Sequence, residues 1–201
     1  MTEPDCHTLY TIGHSNHKTE DFLSLLKRHS ITLVADVRSA PYSRYCPQFN
    51  KDILAANLQA ANIAYIFLGK ELGARSDDSA CYQDGCVNFQ RIANRKEFKQ
   101  GLQHLLTNSL KRRIALMCAE KDPLQCHRTI LIARYLRHDL CIKHILEDGS
   151  VEEHLETERR LLRTLKIEPT LFEPTKTEKE LIEQAYEQQI QKISYHQEQL
   201  R

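Results

Sequence analysis

Apolar residues along this chain follow two alternating patterns. Short continuous runs occupy residues 9–12, 32–37, 64–68, 114–118 and 141–146. Runs of that length between polar segments predict strands buried on both faces. Elsewhere apolar positions recur every three or four residues. Phe22, Leu23, Leu25 and Leu26 predict one helix, capped by Thr19 with Glu20 and Asp21 at its positive end. Ile53, Leu54 and Leu58 predict a second helix capped by Asn50, and Phe98, Leu102, Leu105 and Leu106 a third. A fourth is expected from about Arg128. Two more follow at residues 150–165 and 177–197, the last opened by a Thr177–Glu180 capping box, with Pro169 and Pro174 breaking the pattern between them. Residues 76–88 carry Gly, Asp and Ser without periodicity, and are expected to form a mobile loop able to act as a lid.

Strands alternating with helices imply crossover units and a mainly parallel sheet. The expectation is a three-layer α/β fold, its sheet flanked by helices, with a C-terminal helical extension. Residues 1–149 would form the core domain and residues 150–201 the extension packed on it. Leu181, Ile182, Tyr186, Ile190 and Ile193 make a narrow stripe on the last helix. That stripe is expected to pack on its own domain, with a homodimer contact as the rival.

Composition narrows the function classes. A net charge of +1 over 201 residues gives no global field, so any nucleic-acid contact must be a local patch. No apolar run approaches the roughly 20 residues of a membrane span, so no membrane partner is expected. Residues 1–6 are polar and acidic, unlike a secretion signal. Seven cysteines, an odd number without compact disulfide spacing, suggest a reduced cytoplasmic protein. Neither a Gly-x-Gly-x-x-Gly nor a Walker sequence is present, so a dinucleotide site is unsupported and no cofactor is named.

In open parallel sheets ligands bind beyond the carboxyl ends of the strands. That rule gathers His14, Ser15 and Asn16 after the first strand, Asp36, Arg38 and Ser39 after the second, and Lys70, Glu71 and Arg75 after the third. The strand at 114–118 adds Cys118, Glu120 and Asp122, then Cys126, His127 and Arg128 at the next helix. Helix N-termini and neighbouring cations depress thiol pKa values, which makes Cys126 and Cys118 candidate reactive groups; buried structural thiols are the alternative. His14 and Glu120 are candidate proton carriers, although His14 and Asn16 would equally serve to hold their turn. Asp36, inside an apolar strand, needs a cation such as Arg38 or Arg128. Ser15, Asn16, Arg38, Ser39, Lys70, Arg75 and Arg128 are candidate substrate-binding residues, since arginine forks match phosphate geometry. Cys118, Cys126, His127, His144 and His154 are soft donors, but Cys-x7-Cys-His is no standard zinc spacing and no metal ligand set is assigned.

Ile12-Gly-His-Ser-Asn16, Asp36-Val-Arg-Ser39, Leu68-Gly-x-Glu-Leu-Gly73 and Cys118-Ala-Glu-Lys-Asp-Pro-x-x-Cys-His-Arg128 together resemble the domain-of-unknown-function family numbered 488. Asp148-Gly149, His154 and Thr157-Glu158-x-Arg-Leu-Leu162 also suit it. The resemblance implies a compact α/β protein and no settled activity. A weaker likeness, Asp36-Val-Arg38 after a strand and Cys118 at a later strand–loop–helix junction, is similar to the rhodanese layout. Nine residues separate Cys118 from Arg128, the loop lacks glycine, and Glu120 and Asp122 oppose an anion there. The leading expectation is therefore an enzyme acting on a phosphate-bearing substrate, a nucleotide or nucleic acid. The alternatives are a non-catalytic phosphate or nucleic-acid binding module and a thiol-dependent sulfurtransferase or phosphatase-like enzyme. A metal-dependent enzyme is a further reading.

Overall fold

The computed structural model describes residues 7–168 and 177–195. Six strands form one sheet in the order β3-β2-β6-β1-β7-β8. The chain enters through β1 (Thr8–Gly13), α1 (Thr19–Arg28), β2 (Leu33–Asp36), α2 (Lys51–Ala60), β3 (Ala64–Phe67) and the single turn α3 (Gly69–Leu72). A small hairpin, β4 (Tyr82–Gln83) and β5 (Cys86–Val87), precedes α4 (Phe89–Asn94) and α5 (Lys96–Ser109). Then come β6 (Ile114–Cys118), a π-helical stretch Arg128–Ala133 running into α6 (Arg134–Leu136), and β7 (Cys141–Ile145). The described chain closes with β8 (Val151–Glu153), α7 (His154–Leu165) and α8 (Glu178–Ile193). Pairings among β3, β2, β6, β1 and β7 are parallel, and within this sheet β8 alone among the described strands is antiparallel. This is the expected α/β sheet flanked by helices.

Alternation along the strands divides the core. On β6, Ile114, Leu116 and Cys118 face one apolar cluster, while Ala115 and Met117 face the other. The second cluster is closed by Phe22 and Leu26 of α1 and Leu54 and Leu58 of α2. The first is closed by α4, α5, the helix after Arg128, α7 and α8. With both faces covered, a continuous apolar run is the physical requirement for β6, and all five of its residues are buried. Among the described residues no helix is long and apolar enough to cross a membrane.

Several local expectations change. Thr19 is the first helical residue rather than the cap, which falls on Lys18 without a side-chain bond. Asn50 flanks α2, but its Oδ1 accepts from the Ser43 N–H instead of capping. Ile53 is exposed. Residues 76–88 are no bare lid: they form a turn and the hairpin, anchored by buried Cys81 and Val87. The helix predicted from residue 150 begins at His154, because Val151–Glu153 adds a strand to the sheet edge. α8 keeps its capping box, and Leu181, Ile182 and Tyr186 of its stripe are buried in the core. Residues 1–6, the Pro169–Pro174 break and the end of the last predicted helix at 196–197 lie outside the described residues.

Strand connections locate the candidate edge. From β2 the chain moves outward to β3; from β6 it moves the opposite way, past β1 to β7. The connections leaving the neighbouring strands β2 and β6 therefore run in opposite directions, which leaves a crevice at the topological switch point.

Candidate functional site

Both walls of that crevice are built by the backbone. Beyond β6 the ladder continues: His14 N–H donates to Cys118 O at 2.8 Å and Ser15 N–H to Ala119 O at 2.9 Å. The loop then passes so close to Gly13 that an added Cβ would lie 1.9 Å from Glu120 O. Arg128 grips the same loop from below, donating to Glu120 O at 2.6 Å and Lys121 O at 3.1 Å. Asp122 accepts from Leu124 N–H and pairs with Arg160, so the chain turns back toward the sheet. Cys126 remains extended, its carbonyl accepting from Thr129 and Ile130 and its Sγ from Arg128 N–H at 3.4 Å. All six residues of the following π-helical stretch are buried.

On the β2 side, Asp36 is fully buried and both its oxygens hold Arg38, the closest contact being 2.7 Å. Tyr65 donates to the same carboxylate at 2.9 Å. Arg38 also donates to Phe49 O at 2.8 Å and meets His14 Nε2 at 3.1 Å. The His14 Nδ1 lies 2.9 Å from Ser15 O, so its proton belongs there and Nε2 accepts from Arg38. Burial, helped by the Arg38 charge, lowers the His14 pKa to about 4. His14 is thus a neutral ring stacked on Phe49 that orients Arg38.

Between the walls lies a cleft of about 90 Å³. Arg38, Ser39 and Arg75 line one side, Cys118, Glu120 and His127 its inner end, and Tyr195 closes it from the C-terminal side. Arg75 stacks on the Tyr195 ring, 4.1 Å from its centre, and Tyr195 Oη reaches Glu120 at 3.5 Å. A larger groove, about 490 Å³, runs between the hairpin and α8. Of its charged groups, Arg134 and Glu187 pair with each other and Asp84 sits apart in the hairpin turn, so the smaller cleft, where Cys118, Glu120 and His127 are buried together, is the candidate site.

Four donors converge at its inner end. Cys118 Sγ lies 3.6 Å and Cys126 Sγ 4.0 Å from His127 Nδ1, and Cys126 Sγ is 2.9 Å from Glu120 Oε2. All four donor atoms fall within 4.8 Å of one another. His127 Nε2 is 3.0 Å from Val37 O and donates to it, which turns Nδ1 toward the sulfurs. Burial, then the bond to Cys126, pushes the Cys118 thiol well above its ordinary range. Burial acts the same way on Cys126, but the bond from Cys118 and the Arg128 charge outweigh it and hold that thiol well below. Burial and the neighbouring Cys126 sulfur raise Glu120. For His127 burial lowers the pKa, and contacts with Cys126 more than reverse it.

Of the residues singled out in the sequence, Arg38, Ser39, Arg75, Cys118 and Glu120 line this cleft, with Cys126 directly beneath. Arg128 is fully buried and spent on backbone carbonyls, so it shapes the loop rather than facing a substrate. His14 lies behind Arg38, and Ser15, Asn16 and Lys70 are not among the lining residues. His144 and His154 form a separate buried chain, bonded to each other at 2.9 Å and to Thr11 and Tyr186 at its ends. His127 was placed at this edge by the sequence but given no catalytic or binding role. Tyr195 was missing from the sequence-derived site, and nothing in the local pattern announces it.

No curated protein and no solved structure matches the chain. A family model does, over residues 18–136, more than half of the chain, from just before α1 through the Cys118–Arg128 loop to the end of α6. The protein belongs to the family described as Domain of unknown function DUF488.

Proposed function

We propose that the protein is an enzyme acting at this cleft on a phosphate-bearing substrate, a nucleotide or the end of a nucleic acid. The observation that carries the reading is the convergence of Cys118, Glu120 and His127 on a crevice whose rim presents Arg75 and the edge of Arg38. Burying ionisable groups costs free energy unless they are matched, and here they are buried together beside an opening. In this reading Arg75 meets the anion, Arg38 and Ser39 shape its seat, and Glu120 takes or returns a proton. Pockets that enclose a whole small ligand run to about 300–1,000 Å³. A cleft of about 90 Å³ admits one group of a substrate whose remainder lies outside. Cys118, the thiol that lines the cleft, is pushed up by burial, and Cys126, whose thiol is held low, is not among the lining residues, which sets sulfur transfer and thiol phosphatase chemistry behind this reading. Cys118 and Cys126 are free thiols, whereas Cys141 is disulfide-bonded, which departs from the expectation of a fully reduced chain.

The test is a panel of nucleotides, phosphomonoesters and short oligonucleotides, with inorganic phosphate as the binding probe. Glu120→Gln should lower turnover by about 10²–10⁴-fold while keeping phosphate affinity, as expected for loss of a proton carrier. Arg75→Ala should weaken phosphate binding. Failure of the wild-type protein to bind phosphate would contradict the substrate assignment. Binding without turnover of any compound would leave a recognition module in its place.

A further inference from the structure

The inner end of the cleft holds two sulfurs and an imidazole nitrogen in a geometry that packing does not require. A tetrahedral ion with bonds of about 2.3 Å to sulfur and about 2.0 Å to nitrogen spaces its ligand atoms roughly 3.5–3.8 Å apart. His127 Nδ1 stands 3.6 and 4.0 Å from Cys118 Sγ and Cys126 Sγ. The ring is fixed for ligation by its other nitrogen: with Nε2–H donated to Val37 O, Nδ1 can offer its lone pair on the side of the two sulfurs. Glu120 behaves differently. Its oxygen is 2.9 Å from Cys126 Sγ, closer than two ligands of one ion sit, and it lies beside the opening.

We propose that Cys118 Sγ, Cys126 Sγ and His127 Nδ1 hold one divalent cation of the zinc type, with Glu120 beside its fourth, cleft-facing position. Thiolate and imidazole donors select zinc over magnesium or calcium. Three protein ligands with one open position are the pattern of catalytic rather than structural zinc. His144 and His154 make an instructive contrast. Their facing nitrogens bond each other at 2.9 Å, and Thr11 and Tyr186 occupy the outer nitrogens, so no lone pair is left to share. The proposal deepens the enzyme reading of the same cleft, and its catalytic consequence rests on that reading. A zinc-type ion there supplies Lewis acidity next to the Arg75 rim, with the Glu120 carboxyl in place to move a proton.

Metal binding is read without substrate, so its failure is distinct from failure of the enzyme reading. The full chain, dialysed against a chelator, is titrated with Co²⁺ and then with Zn²⁺ as competitor. One equivalent of Co²⁺ should produce thiolate-to-cobalt charge transfer and tetrahedral d–d bands, both abolished by one equivalent of Zn²⁺. Cys126→Ser and His127→Gln should each weaken binding at least about 100-fold, beyond the loss usual for an outer-shell partner. Glu120→Gln should lose no more than the roughly 10–100-fold usual for an outer-shell partner, and the remote Cys46→Ser should stay within about tenfold of wild type. Absence of the charge-transfer band in wild-type protein overturns the proposal whatever the fate of the variants. A Glu120→Gln loss as large as that of the cysteine variant overturns the three-ligand assignment.

Discussion

Arg38 and Arg128 are the two guanidinium groups around which the site is built, and both are committed inside the protein. Arg38 is locked by Asp36, Phe49 O and His14; Arg128 by the carbonyls of Glu120 and Lys121. The need for an Asp36 partner was legible, because a carboxylate in an apolar strand cannot remain unpaired. The commitment of Arg128 was not legible, since a sequence does not say whether an arginine fork will meet a phosphate or a carbonyl. His14 illustrates the same limit: a Gly-His-Ser-Asn turn at a strand end presents a ring, but only packing on Phe49 decides that it faces inward. Asp36→Ala should destabilise the protein by about 3–5 kcal/mol, because it leaves Arg38 buried without its counter-charge. Urea unfolding measures this. A loss below about 1 kcal/mol, the size of a surface pair, would contradict the buried-pair account.

Among the elements, those with a continuous or periodic apolar pattern were read correctly, and the two- and three-residue strands without one were not. β8 is three residues long and carries two glutamates, so its sequence resembles a helix start; pairing with β7 decides its state. The 82–87 hairpin is hidden for the same reason, lying in a Gly- and Asp-bearing stretch that only tertiary contacts order. The capping box and apolar stripe of α8 were legible, and the partners that seat the helix were not. Those are Arg134 and Arg137 on Glu183, Gln189 on Leu124 O, and Tyr186 on Glu158. Burial would raise the Glu158 pKa, but bonds to His154 and Tyr186 and the Arg137 charge hold it below the usual carboxylate range. A lowered folded-state pKa stabilises above the unfolded value of about 4.3, and the contribution disappears as pH falls through the folded value. Glu158→Gln should therefore cost about 1.5–3 kcal/mol at pH 7, as for a hydrogen bond to a charged group. Thermal unfolding of both proteins from pH 7 to pH 3 should show the gap closing in acid; a constant gap would contradict the ionised role of Glu158.

At the scale of the whole molecule, the carboxyl-edge rule points to the crevice where the titratable groups gather, because strand order follows from crossover connections and those leaving β2 and β6 run in opposite directions. The donors themselves come from one loop, Cys118 to His127, bent back on itself by Asp122, Gly13 and Arg128. Linear spacing argued against a metal because zinc patterns assume short ligand separations. A loop that reverses direction brings Cys118 and Cys126 together across seven intervening residues. Tyr195, near the far end of the described chain, seals the cleft because α8 docks on the same core cluster that backs β6.

The most direct measurement is X-ray absorption at the zinc edge of the full chain loaded with one equivalent of zinc. The account predicts two sulfur neighbours at about 2.3 Å with nitrogen and oxygen neighbours at about 2.0–2.2 Å, the signature of a two-cysteine, one-histidine centre with an open position. A shell of oxygen and nitrogen alone, or a single sulfur, would contradict it.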